Sequence, residues 1–289
     1  MTPLDHKPCA LGEGALWHPG LKRLFWFDIT GQRLLSHDPA TGMNRDQPLP
    51  EMFSAAGWVD DDTMVLASQS ALWRYRIDSH ALHRLLDLEA DNTLTRSNDG
   101  RADPHGGFWI GTMGRRAQPG AGAIYRYWRG TLRSVVQGIT IPNAICFSPD
   151  GTTAYYADTP QQKIFAVGLN AQGWPDGPER VFADLAAHGL NPDGAITDAL
   201  GRLHVACWGD GAVHVLSPDG AFIARHPVPV PHVTCPAFGG AQLDVLFCTS
   251  ATEGMSAQAL NDAPLAGTTF ALHGSGAGRA EPAIDLSHM

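Results

Sequence analysis

Short apolar stretches bounded by turn clusters return along the whole chain at intervals of roughly 42 to 50 residues, the span of a four-stranded propeller blade. The stretches include Arg23-Leu24-Phe25-Trp26-Phe27-Asp28, Phe108-Trp109-Ile110-Gly111, Ala154-Tyr155-Tyr156-Ala157, Leu203-His204-Val205-Ala206 and Val245-Leu246-Phe247-Cys248. Between them stand Pro39-Ala40-Thr41-Gly42, Asp60-Asp61-Asp62, Pro149-Asp150-Gly151 and Pro218-Asp219-Gly220, whose residue types favour turns. The repeating unit starts near Glu13, Ala55, Asn98, Asn143, Asp193 and Pro236. No long amphipathic helix interrupts it, and the 32 glycines and 21 prolines suit a chain that turns often. Six units account for all 289 residues. The repeat therefore predicts an all-β fold: a six-bladed β-propeller with blades of four antiparallel strands, residues 1–289 forming a single domain. The first and last blades must close on each other, because an open sheet edge invites aggregation. The stretch before Gly12 or the segment Ala283 to Leu286 is expected to supply the closing strand.

Three unit starts carry a hard oxygen donor. Glu13 lies in Leu11-Gly12-Glu13-Gly14, Asn143 in Ile141-Pro142-Asn143-Ala144, and Asp193 in Asn191-Pro192-Asp193-Gly194. Each is read as a turn. A ring-shaped repeat would return all three to its centre, where two carboxylates and an amide suit a divalent metal. Taken singly, each has an ordinary explanation. Glu13 could be an exposed turn residue, and Asx side chains after proline commonly bond to their own backbone. Asn98-Asp99-Gly100, at another unit start, could be a hairpin turn.

Other chemistries find less support. A formal charge of -9 with no basic cluster argues against a nucleic-acid partner. No apolar run is long enough to cross a bilayer, and Met1 to Lys7 lacks the plan of a signal peptide. The five cysteines (Cys9, Cys146, Cys207, Cys235, Cys248) are odd in number and form no Cys-x-x-Cys pair, which predicts reduced thiols in a cytoplasmic protein. His18, His105, His204, His214 and His232 show no metal-ligand spacing, and no Gly-x-Ser-x-Gly elbow occurs. Trp17 and Trp208 could floor a sugar pocket, with core packing the default for both. Asp158-Thr159 and Thr249-Ser250 are placed at the channel mouth.

The ordered set Leu11-Gly12-Glu13-Gly14 with Trp17, Arg96-Ser97-Asn98-Asp99-Gly100, Trp109-Ile110-Gly111-Thr112-Met113, Pro142-Asn143, Ser148-Pro149-Asp150-Gly151 and Pro192-Asp193-Gly194 resembles the senescence-marker-protein and gluconolactonase family of regucalcin-like sugar lactonases, over nearly the full length. The resemblance implies one divalent ion held by Glu13, Asn143 and Asp193, substrate contacts from Arg96 and Asn98, and Asp193 as catalytic base. It implies metal-dependent hydrolysis of a sugar lactone, aldono- or aldaro-, to the open-chain acid. A monomer is expected, with no nucleic-acid or membrane partner. Calcium, zinc, manganese, magnesium and iron remain open as the ion. A lactone is a cyclic ester, so an ion there would polarise its carbonyl and acidify water, with the free oxygen of Asp193 placed to take the proton. The alternatives are a related propeller hydrolase of non-sugar lactones, aryl esters or phosphotriesters, and a non-catalytic calcium-binding propeller. Two departures from the family stand out. Ala15 replaces the usual proline, and Gly114 to Gly120 lacks the carboxylate that some members place there against substrate. Arg115 and Arg116 in that loop would suit an acidic lactone, with a solvated loop as the ordinary explanation.

Overall fold

The stretches singled out above fold as strands, Arg23–Asp28, Phe108–Gly114, Thr153–Asp158, Leu203–Trp208 and Val245–Ser250, each the second strand of its sheet. The computed structural model describes residues 1–4 and 7–288. Among these residues, six antiparallel sheets of four strands stand around one axis as a six-bladed β-propeller. The inner strands are Gly12–His18, Phe53–Asp60, Thr95–Ala102, Pro142–Phe147, Asn191–Thr197 and Val233–Gly239. They contain all six expected unit starts. Each packs on the next, and the sixth on the first.

Burial falls from the axis outward. Gly12–His18 and Pro142–Phe147 are buried throughout, whereas the outermost strands Met43–Pro48 and Phe222–Pro227 are mostly exposed. Apolar side chains interlock between blades. Leu16, Phe25 and Phe27 of blade one meet Phe53, Leu66 and Tyr75 of blade two. Trp17 stacks on Phe247 of blade six at 5.8 Å, so Trp17 is a core residue. Each buried phenylalanine contributes roughly 1.5–3 kcal/mol. All five cysteines are free and buried, as expected of structural thiols.

Thr2–Pro3 closes the ring by pairing with Phe270–His273 as the outermost strand of blade six. A proline fits such an edge, which needs no donor on its open side. Of the two segments expected to close the ring, the one before Gly12 does so. Ala283 to Leu286 does something else. The Ile284 N–H donates to the Trp58 carbonyl at 2.8 Å and the Asp285 N–H to Gly106 at 2.9 Å. The Ile284 side chain sits over Gly57, where an added Cβ would come within 2.5 Å of it. This segment therefore lies across blades two and three, and its apolar residues serve their core.

The rest of the C-terminal segment covers the end of the channel at which the inner strands finish. Arg279 donates to the Phe147 carbonyl at 2.8 Å and to Thr197 Oγ1 at 3.2 Å. The carboxylate of Glu281 accepts from Arg101, both side chains being buried. The same guanidinium donates to the carbonyls of Ile145 at 3.2 Å and Ala195 at 3.1 Å, so Arg101 of blade three pins the inner strands of blades four and five around the axis.

Candidate active site

At the other end, where the inner strands begin, the ladder of every blade is interrupted. Register shifts fall between Glu13 and Leu16, Phe53 and Ala55, Ser97 and Gly100, Asn143 and Cys146, Pro192 and Ala195, and Val233 and Pro236. The three donors, expected in turns, lie in these bulges within strands. So does Asn98-Asp99-Gly100, which is no hairpin turn. A bulge leaves residues out of the ladder and re-aims their side chains. Two of these bulges use left-handed backbone, at Gly14 (φ 61) and Ala144 (φ 53). At Gly14 the need is absolute, since an added Cβ would stand 2.2 Å from the Ser54 carbonyl oxygen.

Glu13, Arg96, Asn98, Asn143 and Asp193 line one cavity of about 180 Å³ at the channel mouth, with Leu11, Met113, Ile141, Thr159, Trp208 and Glu253. A directed chain of hydrogen bonds fixes its polar wall. Arg96 donates to Asn98 Oδ1 at 2.9 Å, and Asn98 Nδ2 to Asn143 Oδ1 and to the Pro142 carbonyl, both at 3.0 Å. Asn143 Nδ2 then donates to Thr159 Oγ1 at 2.9 Å, and that hydroxyl to the Pro192 carbonyl at 2.7 Å, one residue before Asp193. Blades three, four and five are thereby joined through the site. The chain also sets the Asn143 amide, whose oxygen keeps one lone pair free.

Asp28 and Asp158 hold the loops that lead in. Asp28 accepts from the N–H groups of Ala10 (3.1 Å) and Leu11 (3.0 Å), and Asp158 from Thr140 (3.2 Å) and Ile141 (3.0 Å). Both stand at the end of their blade's second strand, and Trp208 occupies that register position in blade five. Trp208 is thus brought to the mouth, as is Thr159. Thr249 and Ser250 are buried within blade six and do not line the cavity.

Glu13 and Asp193 are the electrostatic centre. Both are buried, and their carboxyl groups lie within hydrogen-bonding reach of each other. Burial first, then the charges of Asp193 and Asp99, push Glu13 well above the ordinary carboxylate range. Burial and Asp99 push Asp193 up in the same way. Among the described residues neither forms an ion pair with a cationic side chain. Two buried, mutually repelling carboxylates beside an amide oxygen make an all-oxygen donor set that fits a hard divalent cation, which would relieve the repulsion. Among the described residues no three of His, Cys, Asp and Glu make such a cluster, so the third oxygen here is that of Asn143. Glu253 is the lining residue that sequence reasoning missed. It sits on the long connection 251–269 of blade six, outside the repeat that made the other positions legible.

The family profile described as SMP-30/Gluconolactonase/LRE-like region matches residues 11–252. A Rhizobium meliloti protein provisionally named a sugar lactone lactonase is 41% identical, over 98% of this chain and 96% of its own length. The 6-deoxy-6-sulfogluconolactonase of Pseudomonas putida is 34% identical, over 96% of this chain and 95% of its own. The crystal structure of regucalcin from Agrobacterium tumefaciens, described as a calcium-binding protein, superposes with a TM-score of 0.97 at 40% identity, covering 99% of this chain and 97% of that one.

Proposed function

Because the chain belongs to the SMP-30/gluconolactonase/LRE-like family, we propose that it hydrolyses a sugar lactone to the open-chain sugar acid at the cavity around Glu13 and Asp193. The observation that carries this reading is that pair of buried carboxylates, unpaired with any cationic side chain among the described residues and lining the cavity at the channel mouth. Glu13, Asn143 and Asp193 would hold a divalent ion (calcium, zinc, manganese, magnesium or iron), which when bound supplies Lewis-acid polarisation of the carbonyl and acidification of water.

The protein's own groups do the rest. Asp193 takes the proton of the attacking water, whose oxygen bonds the acyl carbon. The ring C–O bond then breaks, and the proton returns to the departing alkoxide. Arg96 has one nitrogen engaged with Ser97 and Asn98, and turns the rest of its planar donor fork to substrate oxygens. Asn98 lines the cavity, but its amide is engaged with Arg96, Pro142 and Asn143. Its main task in this scheme is to position those two neighbours, and its remaining lone pair faces substrate.

The test is lactone opening followed by pH-stat after chelation, then with each divalent ion added back, on aldono- and aldarolactones. Turnover lost on chelation and restored by a divalent ion is the expected result. Absence of turnover by folded, metal-loaded protein on every lactone overturns the reading. Arg96→Ala is expected to raise KM by about tenfold, the worth of one charge-assisted hydrogen bond, with metal content unchanged. Metal analysis of the purified variant checks this, and loss of the ion would make Arg96 structural.

A further inference from the structure

One charged group of the cavity has no part in that scheme. Glu253 stands on blade six, diametrically across the six-membered ring from Arg96 on blade three, and lines the same cavity. Its side chain is exposed, and among the described residues it makes no ion pair or hydrogen bond. Its backbone is fixed. The N–H donates to the Ala10 carbonyl at 2.9 Å, and two residues earlier the Ala251 N–H donates to the His232 carbonyl at 3.0 Å. His232 stacks on Trp208 with ring centroids 4.0 Å apart and planes at 15°. The two residues also pair through their backbones. Trp208, His232 and Glu253 therefore form one held wall, an aromatic face with a carboxylate beside it whose charge is felt at Arg96 across the cavity.

That wall has the composition of a sugar-binding surface. The indole face takes the C–H face of a sugar ring, and a carboxylate accepts from hydroxyl groups in charge-assisted bonds. No carboxylate of the loop 114–120 competes for the role, since the loop has none. Arg115 bears on the cavity through its charge near Arg96 but supplies no donor to it. Its guanidinium is engaged with the Thr93 carbonyl at 3.0 Å and Gln69 Oε1 at 2.9 Å, and neither Arg115 nor Arg116 lines the cavity. The lining carries three carboxylates (Glu13, Asp193, Glu253) against one guanidinium, that of Arg96. A divalent ion brings this set to neutrality. A second anionic group on the substrate would arrive uncompensated, close to Glu253.

Resting on the lactonase reading, we propose that Glu253 is the residue that grips the hydroxyl groups of an uncharged aldonolactone over Trp208 and turns away lactones bearing a second carboxylate or a sulfonate.

The experiment compares wild type with Glu253→Gln on three substrates: gluconolactone, glucarolactone, and γ-butyrolactone, which has no hydroxyl groups. The variant is expected to raise KM for gluconolactone about tenfold with kcat within about twofold, and to raise kcat/KM for glucarolactone about tenfold. γ-Butyrolactone should be unaffected. A parallel titration by calorimetry with 1,5-anhydroglucitol, an uncharged polyol that cannot be hydrolysed, should show at least tenfold weaker binding to the variant. An unchanged KM for gluconolactone together with unchanged preference between the two sugar lactones overturns the proposal. An equal loss on γ-butyrolactone also overturns it, because Glu253 would then act on the chemistry. Failure of the lactonase reading itself is distinct: wild type would turn over none of the three before any variant is compared.

Discussion

Asp193→Ala is expected to lower lactone turnover by about a hundred- to ten-thousand-fold, the range for removal of a positioned proton acceptor. The same change takes away one of the two anionic oxygen donors, so affinity for the divalent ion should fall with it. The fold should not. The strand carrying Asp193 is held by neighbouring contacts that do not involve its carboxylate: Thr159 Oγ1 to the Pro192 carbonyl, and the tight seat of Gly194 against Thr234 and Cys235. Burial and repulsion oppose ionisation of both Asp193 and Glu13, so deleting one member relieves a cost in the metal-free protein. Circular dichroism and a melting temperature no lower than that of chelated wild type check the fold, and single-substrate kinetics check the loss. A folded variant with wild-type turnover would remove Asp193 from the mechanism.

Arg101→Met is expected to destabilise the protein by about 3–5 kcal/mol, because it leaves the buried Glu281 carboxylate without its counter-charge. The bonds to the Ile145 and Ala195 carbonyls go as well. Each of those residues follows a site donor by two positions, so activity should decline together with stability. The companion double variant, Arg101→Met with Glu281→Leu, should regain much of the loss, since an apolar pair of similar size removes the orphaned charge. Urea unfolding of the three proteins measures both effects. A single variant as stable as wild type would show that the ion pair across the channel end holds nothing in place.

The architecture was legible because each inner strand starts with a recognisable cluster and each second strand is an apolar run bounded by turn residues. What escaped was of a different kind. Gly12-Glu13-Gly14, Asn98-Asp99-Gly100 and Pro192-Asp193-Gly194 read as turns because bulges and turns draw on the same residues, those that tolerate positive φ or bond to their own backbone. Only the ladder on either side tells them apart. Thr2–Pro3 is too short to show any periodicity, whereas Ala283 to Leu286 looked strand-like because Ile284 serves the core of its neighbours. Of the site, Glu13, Asn143 and Asp193 were visible at unit starts, and Arg96 and Asn98 came through resemblance. Glu253 gave no signal, because its place at the cavity depends on how one long connection of blade six folds back over the mouth.

Blade six, built from both ends of the chain, also sets an order of events. The pairing of Thr2–Pro3 with Phe270–His273 joins the two ends of the ring, and the bond between Arg101 and Glu281 spans 180 residues. Contacts so distant in sequence form slowly, because the loop entropy must be overcome before they reward it. A nascent chain stopped short of residue 270 can therefore hold five complete blades while the sixth still lacks its two outer strands, and Glu13, Asn143 and Asp193 then sit in a ring not yet fastened by its terminal strand and tail. Competence belongs to the closed ring, and the last short strand pair and the buried tail decide when it begins.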